Sequence, residues 1–196
     1  MKEEGFNMAP QFSLKELLEE GESQTLEFKT SLSERREGAE ALCAMVNADV
    51  AQGMVLFGVR PDGNPCGVEP GNLDSAQCSL SRTVRDKFDP PLVVEIRVEI
   101  LKGKHIIILS ATRSRDTPYH EYDGRTWIRQ GTENRRLGIS EKQQLTRSRN
   151  RDLHPGPWKC DRCGTFVGIF SSIAVTDKGP QKNYQCSCGG EFWPVT

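Results

Sequence analysis

The chain has 196 residues, a formal net charge of −1 and 27% charged residues, and its mean hydropathy is −0.56. The longest dense apolar run, residues 105–109, is far shorter than the roughly 20 residues of a membrane span, which excludes a membrane-spanning helix. Residues 1–10 carry acids rather than a basic and apolar leader, so we expect a cytoplasmic protein.

The first third of the chain predicts helices and strands in alternation. Residues 13–21 begin with Ser-x-x-Glu capping-box spacing and carry leucines at helical spacing, which predicts a short helix. Residues 25–31 alternate between polar and apolar and predict a half-buried strand. Apolar residues at i, i+3, i+4 and i+7 predict a helix over 33–47. A nearly continuous apolar run at 53–59, followed by the turn composition of 60–64, predicts a buried strand and a turn.

The middle of the chain continues this alternation. Residues 72–88 predict a helix that two prolines end. Residues 92–101 and 104–111 flank a Lys-Gly pair and predict a β-hairpin. Residues 126–130 predict another strand, and a helix follows from Ser140. The pattern indicates an α/β (α+β) fold in which helices flank a mixed sheet.

The C-terminal region predicts a linker and a small module. Residues 149–156 are mostly polar and basic and end in a proline and a glycine, as linkers often do. We therefore predict a first domain at 10–148, a linker at 149–156 and a module at 157–196.

Four of the seven cysteines form two close pairs, which is the spacing of a tetrahedral Zn²⁺ site. A small module with little core gains folding free energy from such a metal. A disulfide or free-thiol arrangement is the alternative, and a catalytic zinc is disfavoured because four thiolates leave no open position. The predicted ligands are Cys160, Cys163, Cys186 and Cys188.

Several short motifs occur in a recognisable order. Glu22 precedes Glu-Phe-Lys at 27–29, and the second predicted helix ends within the motif at 44–53. Residues 56–63 contain the end of a strand, then Gly-Val, then a turn that contains a glycine. Residues 128–132 read Ile-Arg-Gln-Gly-Thr. Together these motifs resemble the Schlafen-type AlbA_2 domain, a family associated with nucleic-acid binding. The resemblance covers about two-thirds of the chain and implies the same α/β architecture.

The resemblance implies a metal-dependent site. In animal Schlafen proteins this domain cleaves tRNA and rRNA with two glutamates and an aspartate, and these correspond to Glu22, Glu27 and Asp62 here. Carboxylate oxygens are the ligands that Mg²⁺ or Mn²⁺ prefers, and the bound ion can activate a nucleophile at a phosphate. Lys29, on the face of Glu27, is then expected to hold a phosphate oxygen.

Two features of the sequence leave it undecided whether these three acids form a metal site. Asp62 lies one place later than the corresponding aspartate of the animal proteins, and it is also an ordinary turn residue. Strict strand alternation would put Glu22 and Glu27 on opposite faces. These two glutamates therefore converge only if the chain turns after Gly21.

A basic segment predicts the surface that binds a polyanion. Residues 102–151 hold twelve Lys or Arg and five acidic residues, although a solvated charged surface is the alternative. We expect Arg129, Arg135 and Arg136 to contact phosphates. Trp127 or Tyr119 is expected to stack on an unpaired base, unless Trp127 packs in the core.

Three functions follow as hypotheses. The first is a metal-dependent endoribonuclease acting on tRNA or other structured or single-stranded RNA. The second is a regulator that binds RNA or DNA without cleaving it. The third is a protein-interaction module that docks through the predicted C-terminal zinc module, residues 157–196, which we call the zinc ribbon. The sequence does not decide between a monomer and a homodimer, and we expect no membrane partner.

Overall fold

The computed structural model describes residues 13–114, 117–153, 158–167, 174–176, 179–181, 186 and 188–194. The chain divides into two compact units, residues 1–137 and 138–196. The first unit ends eleven residues before the end of the predicted 10–148 domain, so the helix that begins near residue 139 belongs to the second unit.

The described part of the first unit contains three α-helices and eight β-strands. The helices are α1 (Leu14–Glu20), α2 (Arg35–Val46) and α3 (Leu73–Lys87). The strands are β1 (Leu26–Lys29), β2 (Gln52–Phe57), β3 (Phe88–Asp89), β4 (Val94–Leu101), β5 (Lys104–Thr112), β6 (Glu121–Tyr122), β7 (Trp127–Gln130) and β8 (Glu133–Arg136).

Helix α1 begins and ends as its sequence predicts. The Ser13 hydroxyl accepts a hydrogen bond from the Glu16 N–H at 3.3 Å, and the Ser13 N–H donates to Glu16 Oε2 at 2.8 Å. This reciprocal pair is a capping box, which satisfies backbone donors at the helix start. Gly21 ends the helix at a φ of +79°, a conformation that costs glycine little.

Four strands form a mixed sheet in the order β1-β2-β5-β4. Strands β1 and β2 are parallel, whereas β2–β5 and β4–β5 are antiparallel. Strands β4 and β5 make the predicted hairpin around Lys102 and Gly103, which have φ angles of 50° and 72°. Positive φ at both turn residues gives the twist that matches flanking strands. The mixed sheet with flanking helices confirms the predicted fold class.

Helices cover both faces of this sheet. The larger of two apolar clusters, which we call the main core, lies on one face of the sheet. It contains Val55 and Phe57 together with apolar residues of α2 and α3. Leu26 and Phe28 of β1 pack with α1 on the other face.

The predicted half-buried β1 is wrong in one respect. Leu26, Glu27 and Phe28 are all buried, because elements cover both faces of the strand. Glu27 pairs in register with Val55, so it lies on the face of the main core. An apparently solvated glutamate is therefore inside the protein.

The second unit begins with α4 (Ile139–Leu153) and continues with β9 (Trp158–Cys160), β10 (Phe166–Val167), β11 (Ala174–Thr176), β12 (Gly179–Gln181) and β13 (Phe192–Pro194). Strands β10, β9 and β13 form an antiparallel sheet. Residues 149–153 of the predicted linker are the last five residues of α4, and the rest of that linker, 154–156, lies outside the described residues. Within the described residues, no helix combines the length and apolar character needed to cross a membrane.

Candidate metal centre and nucleic-acid interface

The four predicted zinc ligands lie together in the second unit. Their sulfur atoms are all within 4.8 Å of one another. Cys160 Sγ is 3.5 Å from Cys188 Sγ, and Cys163 Sγ is 3.5 Å from Cys186 Sγ. Tetrahedral Zn–S bonds of about 2.3 Å put sulfurs about 3.8 Å apart. A disulfide needs two sulfurs about 2.05 Å apart, so the cluster fits a metal ion better than the disulfide alternative.

Tight turns hold each pair of cysteines. The Cys160 carbonyl accepts from the Gly164 N–H at 3.0 Å, and the Cys186 carbonyl accepts from the Gly189 N–H at 2.8 Å. Hydrogen bonding to Thr165, whose hydroxyl is 3.1 Å from Cys163 Sγ, lowers the pKa of Cys163 to about 6. The pKa of Cys188 is instead raised to about 12, because the hydrogen bond from Gly190, which lowers it, is outweighed by burial and the three neighbouring thiols. Metals bind thiolates, so metal binding has to displace protons from this cluster and becomes stronger as the pH rises.

In the first unit, Glu27 is the centre of a buried charge cluster. Its Oε2 accepts from Arg129 Nη2 at 2.7 Å, and its Oε1 accepts from Lys29 Nζ at 2.6 Å. The exposed fractions of these side chains are 11% for Glu27, 17% for Lys29 and 0% for Arg129. Both carboxylate oxygens therefore have a cationic partner in a site that excludes most water.

Arg129 is not at the surface, where we expected it to contact phosphates. Its Nη2 also donates to the Ser23 carbonyl at 2.9 Å, and its Nη1 donates to Asn134 Oδ1 at 2.8 Å. Asn134 lies opposite Arg129 in the β7–β8 register. Burying a guanidinium group is costly unless a carboxylate and other acceptors surround it, and Glu27, Ser23 and Asn134 supply them here. Arg129 therefore connects the β7–β8 hairpin to β1.

Glu22 folds back onto β1, as the metal-site hypothesis requires. Gly21 has a positive φ, and the Ser23 N–H donates to the Leu26 carbonyl at 2.9 Å. Glu22 Oε1 accepts from the Phe28 N–H at 3.0 Å. The Glu22 carboxylate therefore lies beside the peptide that follows Glu27.

Asp62 has a local partner of its own. Its oxygens accept from the backbone N–H and side-chain amide of Asn64 at 3.0 and 2.9 Å. The side-chain hydrogen bond from Asn64, followed by the backbone one, lowers the pKa of Asp62, which is fully exposed. This geometry is that of an Asx turn.

The described residues contain one cluster of three or more potential metal ligands, and it is the cysteine cluster. Glu22, Glu27 and Asp62 do not form a second cluster. A catalytic role for the three acids remains a prediction.

Arg135 and Arg136 are both exposed on β8. Arg135 lies opposite Ile128, and Arg136 lies opposite Trp127. Trp127 itself packs against the main core, in agreement with the core alternative for this residue. Tyr119 is half-buried. The β8 arginines are therefore the predicted phosphate contacts that the structure leaves accessible.

Sequence reasoning missed Asn47, which follows α2 and is fully buried. Its Nδ2 donates to the His120 and Trp127 carbonyls at 2.8 and 2.9 Å, and its Oδ1 accepts from the His120 N–H at 2.9 Å. The signal available in the sequence was a lone amide directly after an apolar helical stripe. Its partners are more than 70 residues away, so periodicity alone does not find them.

Solved structures that are similar to part of the chain include the following two. The DIP2311 protein from Corynebacterium diphtheriae is 14% identical with a TM-score of 0.48, and the match covers 64% of this chain and 24% of that one. The N-terminal domain of a RecG-related protein from Nitrosomonas europaea is 18% identical with a TM-score of 0.46, and the match covers 66% and 95%. The chain thus spans about a quarter of the first protein. No curated protein matches the chain.

A family described as Schlafen, AlbA_2 matches residues 22–138. The matched region is more than half of the 196 residues. It begins at Glu22 and ends one residue after the boundary of the first unit. The charge cluster around Glu27 and the exposed arginines of β8 both lie within it.

Proposed function

The chain belongs to the Schlafen AlbA_2 family, and from that premise we propose that it binds nucleic acid, with RNA preferred to DNA. The preference for RNA rests on the resemblance to the animal Schlafen proteins. The zinc ribbon, with Zn²⁺ as the metal that its four thiolates fit best, is proposed to be structural. We expect a protein with these reduced cysteines in the cytoplasm.

Two exposed arginines on an anchored hairpin carry this proposal. Arg135 and Arg136 are neighbours on β8, so their side chains leave opposite faces of the strand. Arg129 holds the same hairpin to β1 through a buried ion pair. A fixed hairpin loses little backbone entropy when its arginines bind a ligand, and guanidinium geometry suits phosphate oxygens.

Lys29 is the second candidate for a phosphate contact. It is partly exposed and its ammonium group already neutralises Glu27. A phosphate oxygen would have to compete with that carboxylate for Lys29. We therefore expect Lys29 to contribute less to affinity than Arg135 and Arg136 do.

Binding is tested by fluorescence anisotropy with labelled RNA, single-stranded DNA and duplex DNA over a range of salt concentrations. The double variant Arg135→Glu with Arg136→Glu should weaken binding by about tenfold or more. The slope of log K against log salt should fall by about 1 if one of these arginines contacts a phosphate and by about 2 if both do. The matched control is Arg82→Glu with Arg85→Glu on α3, which makes the same charge change at exposed positions. Equal losses in both variants would show that only net charge matters and would refute the β8 surface.

Metal-dependent endonucleolytic cleavage is the second candidate function. The observation that favours it is the return of Glu22 to the peptide after Glu27. Mg²⁺ or Mn²⁺ would require Glu27 to exchange a cationic partner for the ion and Asp62 to approach both glutamates. The proposed ligands remain Glu22, Glu27 and Asp62.

Asp62→Asn is the informative variant for cleavage, because Asp62 is exposed and its loss should not unfold the protein. The protein is incubated with tRNA in Mn²⁺, Mg²⁺ or EDTA, and products are resolved on a denaturing gel. Cleavage by the zinc-loaded protein that requires added Mg²⁺ or Mn²⁺, and that disappears in EDTA and in the Asp62→Asn variant, supports the enzyme. Salt-sensitive binding without products in any metal would reject catalysis while leaving the binding proposal intact.

A further inference from the structure

Strand β4 ends the four-stranded sheet. Strand β5 pairs with one edge of β4 along all eight residues. Among the described residues, no strand pairs with the opposite edge. A long strand with a free edge is a template on which another strand can add.

The hairpin register shows which backbone groups point outward. Leu101 and Lys104 close the two-residue turn, and such a closing pair exchanges both of its backbone hydrogen bonds. Every second residue before Leu101 therefore bonds to β5. The backbone N–H and C=O groups at the free edge belong to Val94, Ile96, Val98 and Ile100.

The side chains of β4 separate by chemistry onto its two faces. Val94, Ile96 and Val98 pack against the main core, whereas Ile100 on the same face is 65% exposed. Glu95, Arg97 and Glu99 alternate in sign on the other face. Arg97 Nε is buried 3.3 Å from Glu99 Oε1 without a hydrogen bond. The guanidinium group carries four more N–H donors on its two Nη atoms, and the side chain is 29% exposed, so these outer donors can reach a second carboxylate.

We propose that β4 pairs antiparallel with β4 of a second copy of this chain, with Val98 opposite Val98 at the twofold axis. In this register each Arg97 faces Glu99 of the second copy, so the interface contains two equivalent ion pairs. Each exposed Ile100 faces Ile96 of the second copy. The two sheets then join into one sheet of eight strands.

Neighbouring registers fit less well. A register centred on Arg97 opposes Arg97 to itself and Glu95 to Glu99, and like charges directly opposite are destabilising. A register centred on Ile96 pairs Glu95 with Arg97 but places Ile100 opposite residue 92, which lies outside β4. The register centred on Val98 therefore satisfies the charges and covers the exposed isoleucine.

Sedimentation equilibrium of the full, zinc-loaded chain without nucleic acid tests the proposal. The wild-type chain should dimerise reversibly. Arg97→Glu or Glu99→Arg alone should weaken self-association by at least about tenfold, because each change opposes like charges twice. An equimolar mixture of these two variants should form a heterodimer, and the double variant should dimerise again. Recovery in the double variant also shows that the substituted strand still folds.

Hydrogen exchange supplies an independent measurement. Rising protein concentration should slow exchange at the amides of Ile96 and Val98, whose N–H groups face the free edge, more than at Arg97, which already bonds to β5. A wild-type chain that stays monomeric overturns the proposal, as does a dimer in which these amides gain no protection. A Glu99→Arg variant that dimerises like the wild type overturns the register. These outcomes do not depend on nucleic-acid binding.

Discussion

At the scale of single residues, Glu27 has a structural role that its motif does not reveal. It is the counter-ion of two cations, and one of them, Arg129, is wholly buried. Removing one partner of such a pair leaves an uncompensated buried charge, which costs far more than a surface charge. The loss of activity in a Glu27 variant would therefore not by itself identify a metal ligand.

We predict that Glu27→Ala destabilises the first unit by about 3–5 kcal/mol, because Arg129 stays buried without its carboxylate. Urea unfolding followed by tryptophan fluorescence measures this change. The double variant Glu27→Met with Arg129→Met should cost clearly less than the sum of the two single changes. Metal ligation as the main role of Glu27 would instead leave the metal-free protein about as stable after Glu27→Ala.

His120 shows how burial controls protonation in this region. Burial lowers the pKa of His120, while the hydrogen bond to the Pro90 carbonyl opposes this effect. His120 Nδ1 is 2.7 Å from the Pro90 oxygen, and donation of the Nδ1 proton suits a neutral ring. The unfolded chain would bind the proton more readily, so this residue disfavours the folded state as the pH falls through about 6.5.

At the scale of elements, the end of helix α2 positions the chain that leads into β7. Asn47 contacts backbone groups of His120 and Trp127 with its donor and acceptor atoms. Because Trp127 is the first residue of β7, Asn47 places one end of the β7–β8 hairpin. Arg129, two residues after Trp127, fixes the same hairpin at a second point through its ion pair with Glu27.

Asn47→Ala should lower stability by roughly 2–4 kcal/mol, because the His120 and Trp127 carbonyls and the His120 N–H lose their hydrogen bonds to Asn47. Amide exchange should accelerate at His120, whose N–H donates to Asn47 in the native protein. The control is Asn64→Ala, at an exposed turn position, with an expected change within about 0.5 kcal/mol. Unchanged exchange at His120 would contradict the role given to Asn47.

At the scale of the whole molecule, the two units depend on different sources of stability. The first unit has two apolar clusters on the faces of its sheet. The described strands of the second unit are two or three residues long, and Cys160 at the end of β9 belongs to the cluster of four cysteines. We therefore expect the metal to stabilise the second unit and to leave the first unit largely unaffected.

Metal analysis should find about one zinc ion per chain. A strong chelator at neutral pH should then remove exchange protection from residues 158–167 while residues 26–57 stay protected, because metal binding supplies folding free energy to small zinc modules. Cys186→Ser should reproduce the effect, and Cys78→Ser, an exposed cysteine on α3, should not. Retention of full protection around Cys160 without metal would contradict a structural zinc site.

The sequence by itself determined the features that depend on neighbouring residues. Capping-box spacing located α1, the Lys-Gly turn located the β4–β5 hairpin, and the cysteine spacing identified the metal cluster, because each signal lies within a few residues or in two close pairs. The tertiary structure decided the role of Glu27. Its strand alternates like a half-buried one, but a second covering layer and an arginine 102 residues away put the carboxylate inside. Burial depends on which distant elements pack together, and the local pattern of polar and apolar residues does not specify those elements.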